Sequence, residues 1–309
     1  MFFKSMDEPT RLKRKVFIPD DFLKSISSLE IKTVLLGNLS RFCCIYKIDE
    51  IFFYDIQDQW KEKGFEQDLI NDVLKYLITP QYIRKYLFQK KKTLSCVGLL
   101  HPLNTPNHPT EKESLDVQMA VGNTMYRQGF IKSISGKKMQ VDIGLVNDVE
   151  VAISRGMKTN QVIDLKIDKT KNGFLVMPVE KDAIPFYWGY NVAFIEGDFK
   201  NILEDSKKND ILIATSKRGI NYKEFLQKES PFSTRGKQNL SIFFGPRAGG
   251  LSQFFKSVDE FLSAFDYVIN CFDAPGTKSI RLEEAIPITF SIIDILCDIE
   301  KKGNNDKMN

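Results

Sequence analysis

Strand and helix alternate along this chain in two stretches, and a block that reads as strand alone separates them. That interruption restricts the fold more than any composition figure. Before it, Val16-Phe-Ile18 reads as a short apolar strand, and Ser27-Ser-Leu-Glu30 as a capping box opening a helix to about Lys47. Within that helix Leu35, Leu39, Phe42 and Tyr46 recur at spacings of three and four and predict its buried stripe. Ile51-Phe-Phe-Tyr54 is a continuous apolar run of the kind buried on both faces of a sheet. A helix over 67–78 stopped by Pro80, a short helix over 82–88 and a strand over 95–100 are expected next. His101-Pro-Leu-Asn-Thr-Pro-Asn-His-Pro109, with three prolines, fits neither helix nor central strand.

The block itself predicts short strands at 127–134, 139–143, 149–153, 161–167 and 174–178, divided by Gly, Asn and Lys turns. Five such strands fit a small OB-like barrel, whereas an open meander would leave its edges unprotected. Beyond it, strands at 192–195, 211–215, 241–244 and 267–269 alternate with helices near 199–206, 222–228 and 251–257 and with a long final helix. The expected architecture is one α/β domain, residues 1–110 and 183–309, interrupted by an inserted all-β barrel over 111–182.

Composition excludes several classes. The five cysteines (43, 44, 96, 271, 297) form no CxxC pair, the start lacks the basic-then-apolar order of a signal peptide, and no run of about 18 apolar residues occurs. The expectation is an intracellular protein with no membrane span. Both histidines, His101 and His108, share one Pro-rich loop, so neither a zinc site nor a Ser-His-Asp or Cys-His arrangement is expected. A formal charge of +4 permits a nucleic-acid partner without requiring one. Arg11-Leu-Lys-Arg-Lys15, Lys90-Lys-Lys92, Lys137-Lys138 and Lys207-Lys208 read either as solvated surface or as phosphate contacts.

Three loops follow three C-terminal strands: Thr215-Ser-Lys-Arg-Gly219, Phe244-Gly-Pro-Arg-Ala-Gly249, and Asn270-Cys-Phe-Asp-Ala-Pro-Gly-Thr-Lys-Ser-Ile-Arg281. Each alone is ordinary turn chemistry, but together they suggest one pocket able to cradle an adenosine through main-chain groups. Other nucleotide motifs are lacking. Gly276-Thr-Lys-Ser279 has no glycine five residues upstream, as a phosphate loop requires, and Val141-Asp-Ile-Gly144 lies inside the predicted barrel without further glycines. No GxGxxG follows the first strand, which argues against a nucleotide-dependent oxidoreductase.

At these residues the chain resembles the SPOUT methyltransferases, and within them the archaeal and eukaryotic subfamily of RNA methyltransferases that carries an OB-fold insertion. The resemblance rests on Arg41-Phe-Cys-Cys-Ile-Tyr-Lys-Ile-Asp-Glu-Ile-Phe-Phe-Tyr-Asp55, Tyr86-Leu-Phe88, Val97-Gly-Leu-Leu100, Pro102-Leu-Asn-Thr-Pro-Asn-His108, Tyr187-Trp-Gly-Tyr190 and the three loops, extended to Ala285. It implies an α/β domain with a deep trefoil knot, S-adenosylmethionine as cofactor, a homodimer and an RNA substrate, with N3 of a uridine in ribosomal RNA as the methylated atom. By motif it implies that Thr215, Ser216, Gly219, Phe244, Gly245, Pro246, Gly249, Asn270, Pro275, Gly276, Thr277 and Ile280 line the cofactor site. It brings Arg281 and Glu284, with Asn270, beside the chemistry. Arg281 would orient a base carbonyl or phosphate, and Glu284 either pairs with it, removes a proton, or only favours the positive end of a helix.

On the same resemblance the barrel would hold RNA through Arg127, Phe130, Lys132 and Lys137, while Arg41 and His108 would face the target. Location would be cytoplasmic in an archaeon, nuclear or cytoplasmic in a eukaryote. A noncatalytic RNA-binding or scaffold protein that keeps the knot is the alternative. Pro246 replaces a glycine usual in eukaryotic relatives, and Pro287 predicts a kink after the first turn of the final helix.

Overall fold

The computed structural model describes residues 12–56, 64–110, 112–228, 232 and 239–306. Arg11 and the first ten residues lie outside them. In chain order the first elements are β1 (Lys13–Pro19), α1 (Leu29–Ile45), β2 (Glu50–Tyr54), α2 (Phe65–Ile78), α3 (Gln81–Leu87) and α4 (Leu115–Gln118). Next come β3 (Thr124–Ser135), β4 (Lys138–Asp142), β5 (Val149–Ala152), β6 (Val162–Thr170) and β7 (Gly173–Pro178). The last are β8 (Asn191–Ile195), α5 (Phe199–Lys207), β9 (Asp210–Asn221), α6 (Tyr222–Phe225), β10 (Asn239–Phe243), α7 (Val258–Ser263), β11 (Tyr267–Asn270) and α8 (Leu282–Asp306). Two compact units divide the chain, one of residues 75–95 and 101–189, the other of 11–74, 96–100 and 190–309. The expected insertion, 111–182, falls inside the first unit, which also takes in α3 and the Pro-rich loop.

The second unit is built on a six-stranded sheet in the order β11-β9-β10-β1-β2-β8, every pair parallel. β9 lies between β10 and β11, so the chain leaves β10 on one side of β9 and returns on the other as β11. One face buries Phe17, Phe199, Leu212, Phe243, Phe261 and Val268, with Phe17 and Phe243 stacked at 4.1 Å on the neighbouring strands β1 and β10. Runs without alternation, such as the buried Val16 to Pro19, are what a sheet covered on both faces requires. α8 runs against α1, where Tyr46 just past α1 stacks on Phe290 at 5.7 Å, and Arg14 of β1 pairs with Asp294 of α8. The helix passes through Pro287 as a single element.

The first unit is an antiparallel five-stranded sheet in the order β5-β4-β3-β6-β7. Its end strands β5 and β7 approach each other, so it is nearly closed. Alternation sends Ile131, Met139, Val141, Val151, Leu165 and Ile167 inward around one core. Gly129 on β3 is required there, because a Cβ at that position would sit 2.4 Å from Val141 Cγ1. α3 belongs to this unit: Tyr82 donates to the Gln128 carbonyl at 2.5 Å and Tyr86 to Asp142 at 2.8 Å.

Several local expectations are corrected. α1 is capped by Ser28, whose hydroxyl accepts from Ile31 N–H, one residue later than the predicted box. The buried stripe turns with it, so Leu36, Leu39 and Cys43 are buried while Leu35, Phe42 and Tyr46 are only partly covered. No strand forms over 95–100, where Val97–Leu99 makes a 3-10 turn. The expected helix over 251–257 is a 3-10 turn at Leu251–Phe254, and the helix lies later, at α7. Its signal was available: Ser257-Val-Asp-Glu260 is a capping sequence, and the Ser257 hydroxyl accepts from Glu260 N–H.

Candidate functional site

In an open parallel sheet, ligands bind at the carboxyl ends of the strands, where helix starts and loops expose main-chain groups. β11, β9 and β10 are neighbours, so the three loops singled out from sequence leave one edge of the sheet side by side. The first of them is not a terminal loop. β9 pairs with β11 through Ala214 opposite Val268, then resumes with Ile220 opposite Ile269, so residues 215–219 bulge out and the strand continues to Asn221. Pairing with β11 recaptures the chain, which turn-forming residues alone could not indicate. Gly219 makes the return possible, because a Cβ there would lie 2.3 Å from the Val268 carbonyl oxygen.

The second loop follows β10. A Cβ on Gly245 would meet Leu251 N at 2.7 Å, and Gly249 and Gly250 take φ of 82° and 64°, so this turn folds back on itself through glycine. Two side chains from other strand ends brace it. Tyr54, ending β2, donates its hydroxyl to the Phe244 carbonyl at 2.6 Å, and Asp21, just past β1, accepts from Arg247 N–H at 3.2 Å. Burial, then Asp21 and Asp20, pushes the Tyr54 hydroxyl well above its ordinary range, so it stays a proton donor. Asp21 is also raised, mainly by desolvation, and its Oδ1 is buried without a partner among the described residues. Neither residue was singled out from sequence, because their role depends on β1 and β2 being set beside β10 in the sheet.

The third loop joins β11 to α8. Asn270 Oδ1 accepts from Phe272 N–H at 3.2 Å and so turns the chain at the strand end. Residues 274–280 make no hydrogen bond with any described residue, and Gly276 has open space where a Cβ would stand. Lys223 ties this loop at its start through Asp273, 2.6 Å away. Glu284 Oε2 accepts from Arg281 N–H at 2.9 Å, which makes Glu284 the cap of α8. Arg281 is exposed at the same helix start, and its guanidinium has no partner among the described residues. Cys271, buried beside Thr289, has its thiol pushed up to about 11 by burial, which leaves it unsuited as a nucleophile.

All twelve positions assigned to the cofactor therefore sit on these three loops or at their immediate ends. Their chemistry fits an adenosine-bearing cofactor: main-chain groups at 274–280 without a hydrogen bond to a described residue, a Gly276 with no atom within 4 Å of a Cβ position, and glycine turns that bring backbone close. Pro246 is buried within the second loop, where it stiffens the turn rather than disturbing it.

The residues assigned to RNA fare differently. Phe130 is buried, its ring stacked at 4.2 Å on Tyr86, so it offers no surface for a base. Arg127 is buried too, donating to the Ile143 carbonyl at 3.1 Å and to Gln118 Oε1 at 2.8 Å, and serves the barrel interior. Both corrections have one cause: these β3 positions point inward or under α3. Lys132 is exposed but paired with Asp148 at 2.7 Å, and Lys137 is exposed. His108 does not face outward. Its Nε2 donates to the Ile78 carbonyl at 2.8 Å, beside Asn107 Nδ2 at 2.9 Å, and burial lowers its pKa to about 4. Arg41 is exposed on α1.

Comparison with known proteins gives the family. The family described as "Putative RNA methyltransferase" matches residues 13–293. Among curated relatives, the chain is 27% identical to a "28S rRNA (uridine-N(3))-methyltransferase" of Drosophila melanogaster, covering 94% of this chain and 63% of the fly protein. It is 27% identical to a human protein of the same name, covering 90% and 77% of the two chains. It is 26% identical to "Putative methyltransferase spot-1" of Caenorhabditis elegans, covering 88% and 77%. The match to the family runs from β1 into α8 and takes in all three loops, and on that ground the chain belongs to the "Putative RNA methyltransferase" family.

Proposed function

We propose that this chain is an S-adenosylmethionine-dependent RNA methyltransferase acting on N3 of a uridine in ribosomal RNA. The observation that carries the reading is the third loop: residues 274–280 present main-chain groups with no hydrogen bond to any described residue, beside two glycine-built loops on the same sheet edge. The names of the fly and human relatives supply the substrate class and atom. The strand order, in which the chain passes β9 between β10 and β11, supports the trefoil knot, and the nearly closed sheet β3–β7 supports an OB-type barrel. We assign a homodimer on the family resemblance.

When bound, the cofactor supplies an electrophilic methyl group on its sulfonium. The chain's own work is positioning. Thr215, Ser216 and the turn at Gly245 would wall one side of the cofactor, and Pro275 to Ile280 the other. Arg281, free at the start of α8, would receive a uridine carbonyl or the adjoining phosphate. Asn270 is occupied in turning its own loop, and Glu284 holds the helix start through one oxygen, leaving Oε1 as the available acceptor for the N3 proton. Incubating the chain with ribosomal RNA and methyl-labelled cofactor, followed by nucleoside mass analysis, tests this. Labelled 3-methyluridine is the expected product; label confined to another nucleoside, or none despite cofactor binding, overturns it.

A further inference from the structure

Five lysines of the first unit are neutralised by neighbours, Lys132 by Asp148, Lys138 by Glu150, Lys166 by Asp168, Lys169 by Asp116 and Lys85 by Asp142, while Lys137, Lys158 and Lys171 stand exposed without an ion pair to a described residue. Surface pairs contribute little to stability, yet each weakens the field that would attract a phosphate. The three loops at the carboxyl edge of the parallel sheet are different. They carry Lys217, Arg218, Arg247, Lys278 and Arg281, all exposed. None of these five side chains has a hydrogen bond or ion pair with a described residue. Asp21 offsets part of the charge of Arg247, and the Glu284 carboxylate lies at the Arg281 N–H. The one acid within the loops, Asp273, is already taken by Lys223.

These five exposed cations, none ion-paired with a described residue, lie on three adjacent loops and make a positive rim at the candidate cofactor site. We propose that this rim, rather than the barrel's lysines, grips the phosphate backbone of the RNA, with Lys217, Arg218 and Lys278 as its main contacts. The assignment rests on reading the substrate as RNA, but it concerns binding and not methyl transfer. Counterion release makes such contacts visible, because each phosphate neutralised steepens the dependence of affinity on salt by slightly under one unit of slope.

The test uses the full chain and a fluorescein-labelled uridine-containing RNA hairpin, followed by anisotropy across a salt series. Simultaneous Lys217→Ala, Arg218→Ala and Lys278→Ala substitution is expected to weaken binding at least about tenfold and to lower the salt slope by about two. Lys132→Ala, Lys138→Ala and Lys166→Ala together, all ion-paired in the fold, are expected to leave both within about twofold. Arg218→Glu alone, with an unchanged unfolding midpoint, provides a second variant and should weaken binding further than Arg218→Ala. Unchanged affinity and slope in the loop variants overturns the proposal, as does a loss confined to the barrel variants. RNA binding that follows this pattern with no methyl transfer leaves the rim standing and removes only the enzymatic reading.

Discussion

Tyr54 and Phe244 are separated by 190 residues, yet the Tyr54 hydroxyl donates to the Phe244 carbonyl at 2.6 Å and fixes the second loop from the end of β2. Tyr54→Phe leaves that buried carbonyl without its donor. A loss of about 1–3 kcal/mol in folding stability is expected by urea titration, together with weaker cofactor binding. Unchanged stability and cofactor affinity would mean the loop does not depend on this bond.

Gly219 and Gly276 should respond oppositely to the same change. Gly219→Ala places a methyl 2.3 Å from the Val268 carbonyl oxygen and 2.7 Å from Ile269 N, both backbone, so the pairing of β9 with β11 must open. Severe destabilisation, about 3 kcal/mol or more, or failure to fold is expected. Gly276→Ala meets nothing within 4 Å and should leave the unfolding midpoint unchanged.

His108 sets a pH dependence. Burial first, and then the charge of Arg84, lowers its pKa to about 4, below the ordinary 6.5 of an unfolded chain. A depressed folded value means the unfolded chain binds the proton more readily. The contribution of neutral His108 is therefore complete above about pH 6.5 and is lost as pH falls towards 4, up to about 3 kcal/mol in all. His108→Gln keeps a donor for the Ile78 carbonyl without titrating. The wild-type chain should lose more stability than this variant between about pH 7 and pH 4, and parallel curves would contradict the assignment.

Phe130 tests whether the barrel's aromatic residue is core or contact surface. Phe130→Ala should cost about 3–5 kcal/mol, because it removes a buried ring stacked on Tyr86. Under conditions where the variant remains folded, RNA affinity should hold. A stable variant with lost RNA binding would restore the surface role.

How far the sequence went depended on the range of the interaction. The barrel strands were legible because inward residues such as Met139, Val141, Leu165 and Ile167 alternate locally. The three loops were legible because Gly and Pro mark them within a few residues. What stayed hidden depends on partners distant along the chain. The return of β9 after 215–219 needs β11, the bracing of 244–250 needs Tyr54 and Asp21, and the covering of Phe130 needs Tyr86 on α3. His108 looked like a loop residue free for a target, and only the Ile78 carbonyl explains it.

Calorimetric titration of S-adenosylmethionine into the wild-type chain and into Gly276→Trp tests the pocket most directly. Gly276 is exposed and nothing lies within 4 Å of where a Cβ would stand, so the variant should fold with an unchanged unfolding midpoint. The wild-type chain is predicted to bind the cofactor and the folded variant to lose binding. Binding retained in Gly276→Trp, or none in the wild-type chain at millimolar cofactor, would contradict a pocket walled by these three loops.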